Sequence, residues 1–405
     1  MKRNYPSVFV NTKSERALRG GHPWVYAEEV TAIDGEYQNG DLVDVFTSKN
    51  KYLGTGFIND ISKILVRVIS RNANDKFDRA FYERRVRYAL EYRRTVMGND
   101  FSCCRLIFGE ADCFPGFTVD RFNDVLVTQV LSLGIEKIKD MLYELLVSEL
   151  EKMGEHISAV YERNDVKIRE LEGMEQYKGF WNGLSSDLFG VTEITENGLK
   201  FSVDYINGQK TGFFLDQKYN RAAIRRIAKG RTVLDCFTHT GAFALNAAAA
   251  GAKLVNAVDI SETAIEMTKN NAKINGLTDN MQYTCANVFD LLTEMYKSGN
   301  SPYDFIILDP PAFTKSKSTV KDAFRGYKEI NLKAMRLLDR GGYLATCSCS
   351  HFMTEPLFKQ MLHDAAADAD VSLRQIEARQ QAPDHPILWN VPETDYLKFF
   401  IFQVV

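Results

Sequence analysis

Thr232-Val233-Leu234-Asp235-Cys236-Phe237-Thr238-His239-Thr240-Gly241-Ala242-Phe243 is the stretch from which the fold is read. An aliphatic run ends in an acid, and a glycine then opens an alanine-rich segment, the pattern of a strand, a loop and a helix. The unit recurs downstream. Strand Lys253–Asp259 leads into helix Glu262–Asn275, Met281–Cys285 into Phe289–Lys297, and Phe305–Asp309 into Tyr327–Leu338. Gly342–Ser348 leads into Glu355–Ala367, and strands Ser372–Ala378 and Tyr396–Gln403 close the chain. Upstream, the pattern predicts a hairpin of Leu199–Ile206 and Thr211–Leu215 about a turn at Asn207-Gly208, then a helix over Gln217–Ala228. Strand–helix alternation at this pitch predicts an α/β fold with a parallel, doubly wound sheet. Ligands of such sheets sit beyond the carboxyl ends of the strands, so the residues at those ends carry the functional question.

The first strand offers Asp235, with Gly241 bringing backbone amides close to a guest. This is not the G-x-G-x-x-G of a dinucleotide site, and Gly208-Gln-Lys-Thr-Gly lacks the first glycine of a P-loop. The second strand ends Asp259-Ile260-Ser261, where the acid is placed to accept from ribose hydroxyls or, more plainly, to cap the next helix. Asn287 follows the third, with an amide of the kind that meets an adenine amine. The fourth gives Asp309-Pro310-Pro311-Ala312-Phe313, in which two prolines fix the chain direction after the carboxylate. The fifth gives Thr346-Cys347-Ser348-Cys349-Ser350-His351. A thiol there is a candidate nucleophile, or else a small buried hydrophobe. Cys347 and Cys349 alternate with the hydroxyl residues, and Cys349 is nearer the carboxyl end. His239 and His351 fall close to the same crevice, as proton carriers or as ordinary polar loop residues.

Towards the N-terminus, Ser7–Asn11, Val25–Tyr26, Leu42–Thr47, Leu53–Ile58 and Leu65–Ile69 read as short strands of a small barrel. Trp24 and Tyr26 there suit either base stacking or core packing. Residues 63–105 hold eleven basic side chains against five acids, over a helical pattern between Lys76 and Met97. That is a solvated helix face or a strip for phosphates. Strands Thr118–Val119 and Val125–Leu131, helix Ile135–Met153 and strand Ala159–Tyr161 make a compact α+β unit. The glycine-rich stretch Gly179–Gly190 marks its end. The expected domains are 1–73, 74–188 and 189–405.

Composition bounds the partners. Fifty basic against fifty-three acidic residues leave a net charge of −3, so any nucleic-acid footprint is a local patch. Apolar stretches such as Phe399–Phe402 fall far short of a membrane span, and the basic N-terminus has no apolar core behind it. Seven thinly spread cysteines suit free thiols in a reducing cytoplasm. Cys103, Cys104 and Cys113 lack zinc-site spacing, and no metal is expected.

Asp235…Gly241, Asp259 and Asp309-Pro-Pro-x-Phe313 together resemble a class I S-adenosylmethionine-dependent methyltransferase. More narrowly, the chain resembles the large-subunit ribosomal RNA cytosine-5 methyltransferases with an N-terminal PUA domain. The resemblance spans nearly the whole length: Gly21-His-Pro-Trp-Val-Tyr26, Gly109 to Arg121, Tyr161-Glu-Arg-Asn-Asp-Val166, Gly208 to Arg221, Asp309-Pro-Pro-Ala-Phe and Ser348-Cys-Ser. It implies a PUA-like RNA-binding β-barrel, a central α+β domain and a C-terminal Rossmann-like catalytic sheet. It further implies S-adenosylmethionine as cofactor, ribosomal RNA as partner, a homodimer and a cytoplasmic location. By the same resemblance Gln217 and Arg221 touch the methionine end, Asp259 the ribose and Asn287 the adenine amine. Asp235, Phe237, Thr240, Gly241, Ile260 and Asp309 complete the expected cofactor contacts.

The chemistry that the resemblance implies is methylation of a cytosine C5 in 23S RNA. A thiolate adds to C6 and makes C5 nucleophilic; Cys349 fits that role, and Asp309 fits charge stabilisation around N3 and the amine. Pro310, Phe313, Lys315, Lys317 and Trp24 are the candidate RNA contacts, with Phe313 either stacking on a flipped base or packing under its loop. The base that removes the C5 proton is unassigned. Two other readings compete: methylation of an exocyclic amine of guanine or adenine, and a non-catalytic RNA-binding scaffold.

Overall fold

The computed structural model describes residues 4–184, 190–299 and 301–405. Two compact units emerge. Met1–Thr192, Val203–Leu215 and Pro383–Thr394 form the first; Glu193–Ser202, Asp216–Ala382 and Asp395–Val405 form the second. The boundary expected at 188/189 and the first three residues of the basic N-terminus lie outside the described residues.

In the first unit, β1 (Ser7–Val10), β2 (Trp24–Tyr26), β3 (Val30–Asp34), β4 (Leu42–Thr47), β5 (Tyr52–Ile58) and β6 (Ile64–Ser70) form one mixed sheet. Its order is β2-β6-β5-β4-β1-β3. Alternation places Val8 and Val10 inward, where they meet Val25, Val43, Val45, Leu53, Ile58 and Val66. Strand β3 has no counterpart among the expected strands, because nearly all its side chains are exposed and no apolar alternation announces it.

The helix Arg79–Met97 follows, capped by Asp78, whose side chain accepts from the Phe81 amide at 3.0 Å. Phe81, Tyr82, Val86, Ala89 and Leu90 make its buried stripe. Arg93 is buried on the same stripe because both Asp112 oxygens and the carbonyls of Arg105 and Asp384 accept from its guanidinium. A second sheet comprises β7 (Cys103–Phe108), β8 (Phe117–Phe122), β9 (Val125–Val130), β10 (Ala159–Asn164) and β11 (Tyr177–Phe180), in the order β11-β10-β9-β8-β7.

Next comes a hairpin that differs from the expected one. β12 (Val191–Glu196) pairs with β13 (Leu199–Asp204), and Thr211–Leu215 is not a strand. The turn is Asn197-Gly198, at φ 53° and 78°, both positive as a two-residue type I′ turn requires. Asn207-Gly208 instead lies in a turn where the Asp204 side chain accepts from the amides of Ile206 and Asn207.

The second unit is built on β14 (Thr232–Cys236), β15 (Leu254–Asp259), β16 (Met281–Cys285), β17 (Phe305–Leu308), β18 (Tyr343–Ser348), β19 (Leu373–Arg379) and β20 (Lys398–Val404). The order is β16-β15-β14-β17-β18-β20-β19. The first five strands are parallel, and β20 runs antiparallel to both its neighbours. The strand sequence reverses direction between β14 and β17, which is the switch point of the sheet. Leu234, Val258, Ile306, Leu308 and Leu344 are buried against Tyr327, Ile330 and Met335 of helix Val320–Leu337. That helix starts earlier than its apolar pattern predicts, since Lys321, Asp322 and Arg325 in its first turns face solvent. The helix expected over Gln217–Ala228 is two short ones, Lys218–Ala223 and Arg225–Ala228. All seven cysteines are free. Among the described residues no helix is long and apolar enough to cross a membrane.

Gly56 of β5 lies against the backbone of β6. A Cβ there would stand 2.2 Å from the Arg67 carbonyl oxygen and 2.6 Å from the Val68 Cα, so the backbone itself must move. Gly56→Ala is therefore expected to lower unfolding free energy by about 1–3 kcal/mol. Gly179→Ala, with open space around it, is expected to stay within about 0.5 kcal/mol. Urea midpoints of the two variants test the pair.

Candidate active site

The loop after β14 is unusually constrained. Phe237, His239 and Gly241 all have positive φ, at 63°, 52° and 80°. The two non-glycine residues store strain of about 1–3 kcal/mol each, a feature that concentrates at functional loops. Carboxylates hold the loop in place. Asp235 Oδ2 accepts from Thr238 Oγ1 at 2.6 Å and the Ala244 amide at 2.9 Å. Asp259 Oδ2 accepts from the His239 amide, and its Oδ1 from the Ser261 amide, each at 3.0 Å. Asn271 donates to the carbonyl of buried Thr240 at 2.9 Å. A Cβ at Gly241 would lie 2.5 Å from Thr268 Cγ2, so this position requires glycine on both grounds.

Asp235 is buried, and among the described residues its Oδ1 has no hydrogen-bond partner. Burial, with the charges of Asp309 and Asp259 adding to it, raises its carboxyl to about 7. Such a site favours a cationic guest bearing N–H donors. Asp259 keeps lone pairs beyond the two amides it accepts, which suits vicinal hydroxyls. Beside it Ile260 is 69% exposed, an apolar surface fit for the face of a purine. Asn287 is exposed and caps helix Val288–Ser298, its Oδ1 accepting from the Phe289 amide at 2.9 Å. Ser261 likewise caps Glu262–Ile274. These residues fit an adenosine carrying a positively charged tail.

At the tip of β17, Asp309 Oδ1 accepts from Gln217 Nε2 at 3.0 Å, and the Cys347 thiol also donates to the carboxylate. Desolvation and then the Asp216 charge push the Asp309 carboxyl up to about 6, against the pull of Arg221, Gln217 and Cys347. Gln217 is itself oriented by Asn220, which donates to its Oε1 at 2.6 Å. Arg221 is buried in an ion pair with Glu196, Nε to Oε1 at 2.7 Å, so it acts on Asp309 through its field.

The two candidate thiols differ. Cys347 lies within β18, fully buried, and burial plus Asp309 raise its thiol well above the ordinary range. Cys349 stands just past the end of β18 and is half-buried. Ser350, the next residue, shares a 3.0 Å hydroxyl bond with Tyr327. His351 is half-buried, and among the described residues its Nδ1 has no hydrogen-bond partner.

Other sequence-derived candidates take plainer places. Phe313 packs on Tyr327 at 4.5 Å and Phe289 at 5.8 Å between ring centroids. Pro310 is buried, while Lys315 and Lys317 are exposed. Trp24 belongs to the first unit, where its indole donates to Glu110 at 3.0 Å and its edge meets His22 and Tyr26.

Lys398 and Asp216 are absent from the sequence-derived set. Tyr396 donates to Asp216 at 2.6 Å. Lys398 is buried and donates to the carbonyls of Ser350 at 2.7 Å and Tyr396 at 2.8 Å; burial lowers it to about 8. Its signal is visible in retrospect as one lysine inside the apolar run Leu397-Lys398-Phe399-Phe400-Ile401.

This sheet order and strand-end chemistry define a methyltransferase of the S-adenosylmethionine-dependent class. Residues 105–403 match the family of S-adenosylmethionine-dependent methyltransferases, and residues 8–71 match a PUA-like domain. The chain is 39% identical over 401 residues to ribosomal RNA large subunit methyltransferase I of Aliivibrio fischeri strain MJ11, covering 98% of this chain and 99% of that one. It is 41% identical over 393 residues to the protein of the same name from Shewanella denitrificans, covering 96% and 97%. A solved structure from Streptococcus mutans described as a SAM-dependent methyltransferase superposes with a TM-score of 0.82 at 22% identity, covering 98% of this chain and all of that one. A solved methyltransferase complexed with SAH matches equally well. The chain belongs to the S-adenosylmethionine-dependent methyltransferase family that includes these large-subunit enzymes, and S-adenosylmethionine is its cofactor.

The raised Asp309 carboxyl gives a signed prediction. Because its folded value lies above the unfolded one, ionising it costs stability above pH ~6, and the cost is relieved as pH falls towards ~4. Asp309→Asn is expected to be more stable than wild type at pH ~8 by about 1–3 kcal/mol. The gap should narrow to about 1 kcal/mol near pH ~4.5, where the acid is protonated in the folded state but still largely ionised in the unfolded one, and close only below pH ~3. Thermal unfolding at these pH values checks this.

Proposed function

We propose that the chain methylates C5 of a cytosine in large-subunit ribosomal RNA, with Cys349 as the nucleophile at C6 and Asp309 serving N3 and the exocyclic amine. The RNA class comes from what the relatives' names say of those proteins. The observation that carries the chemistry is the pairing of a half-buried thiol just past β18 with an acid at the tip of adjacent β17 that titrates near 6.

Cytosine C5 is a weak nucleophile. Addition of the Cys349 thiolate to C6 moves the 5,6 electron pair onto C5, while negative charge builds towards N3 and O2. A carboxyl near 6 is partly protonated at neutral pH, so Asp309 can hand a proton to N3 and take it back when the adduct collapses. S-adenosylmethionine supplies the methyl group from its sulfonium, with Asp235, Asp259, Ile260, Asn287 and Gln217 as the residues that hold it. Loss of the C5 proton to a base then re-forms the double bond and expels the thiolate. Cys347 does not compete as nucleophile, since its thiol is raised and committed to Asp309.

The test is transfer of labelled methyl groups to ribosomal RNA from a deletion strain, followed by nucleoside analysis. Wild type is expected to form 5-methylcytidine, Cys349→Ala to lose at least about a thousandfold in rate, and Cys347→Ala to keep the same product. Activity in Cys349→Ala, or a methylated purine as product, overturns the reading.

A further inference from the structure

Lys398 occupies an unusual place. It is 4% exposed, it opens β20 directly opposite Ser348 of β18, and its ammonium binds the carbonyl of Ser350. Both of its hydrogen bonds go to neutral carbonyls, and among the described residues no carboxylate pairs with it. A buried ammonium so placed needs negative charge nearby to be tolerated. Of the groups that favour its charged form, Cys349 acts most strongly, ahead of Asp395 on the preceding loop and Glu355 on helix Glu355–Ala369. Cys349 in turn acts on Tyr327, from helix Val320–Leu337, and on Cys347 of β18. Both of those are neutral groups with raised values, whereas Lys398 is a cation on which Cys349 acts.

We infer that Lys398 is a positioning residue that holds Cys349 as a thiolate at neutral pH, clamping the Ser348–Ser350 segment and supplying the charge that faces the sulfur. This rests on the reading of Cys349 as the nucleophile. The thiol proton leaves to water and Lys398 stays protonated throughout, so no further reactant is needed. When sulfur adds to C6, its negative charge moves onto the pyrimidine; when the adduct collapses, the charge returns to the sulfur beside the same ammonium.

The experiment is alkylation by iodoacetamide across a pH series, resolved residue by residue by peptide mass spectrometry. Exposed Cys113 and Cys285 in the same chain serve as internal references. In wild type the Cys349 midpoint is expected at least about one pH unit below theirs, which is about tenfold faster modification at pH ~7. Lys398→Met is expected to move that midpoint up to the reference values and to restore methyl transfer at pH ~9 relative to pH ~7. Lys398→Arg, which keeps the charge, is expected to retain the low midpoint. A wild-type midpoint equal to those of Cys113 and Cys285 overturns the inference, and that arm needs no variant to fold. So does an unmoved midpoint in folded Lys398→Met. If Cys349→Ala is inactive but the midpoint is ordinary, only the role of Lys398 falls. If Cys349→Ala stays active, the nucleophile reading falls instead.

Discussion

Three carboxylates stand together at the strand ends of the catalytic sheet, and the loop around them is arranged about their burial and, at Asp235, about the charges of the other two. The ladder sets Cys236 opposite both Val258 and Leu308, so Asp235, Asp259 and Asp309 come to the carboxyl ends of adjacent strands together. Asp235 feels both of the others, and the carboxyls of Asp235 and Asp309 are held near 7 and 6. Several donors are turned towards them: Thr238 and the His239 amide from the loop after β14, the Ala244 amide from the helix that follows, the Ser261 amide, Gln217, and the Cys347 thiol. One oxygen of Asp235 is still left over. A guest that carries a sulfonium and an ammonium relieves what the protein alone does not, and whatever binds the folded state alone stabilises it by mass action. Cofactor affinity and fold stability are therefore two readings of one electrostatic tension.

The same tension explains the strained turn. Phe237 and His239 take left-handed backbone in the short stretch that delivers both the Thr238 hydroxyl to Asp235 and the His239 amide to Asp259. Gly241 then enters the helix where any side chain would strike Thr268. Residue types that look generic in the sequence are thus fixed by the geometry of charge neutralisation.

What the sequence reveals follows from what is local. Strands β14 to β18 and their helices are legible because apolar runs, acids at their ends and the following helical periods all lie within windows of a dozen residues. Ser261 and Asn287 as helix caps are likewise written in neighbouring residues. Long-range facts are not. Two Asn-Gly pairs compete for the turn after Gly190, and only pairing of β12 with β13 selects Asn197-Gly198 over Asn207-Gly208. Strand β3 is hidden by its exposed side chains. Gln217 and Asp309 are ninety-two positions apart, and no periodicity reports that one donates to the other. Phe313 is ambiguous in sequence, whereas its contacts with Tyr327 and Phe289 place it with the core. Lys398 is the clearest loss: its charge is visible, but its meaning depends on β20 inserting between β18 and β19.

That insertion also separates the fates of two thiols only two residues apart. Cys347 is inside the ladder, opposite Phe399, where burial and Asp309 keep it protonated; it is then a donor, and a good one for a carboxylate that must stay close by. Cys349 lies past the last ladder pair, beside a lysine that β20 delivers from the far end of the chain. Low dielectric without a cation makes a thiol inert, and the same burial with a cation makes it reactive. The antiparallel strand thus does more than close the sheet: by carrying a lysine as its first residue, it sets different electrostatics on either side of Ser348.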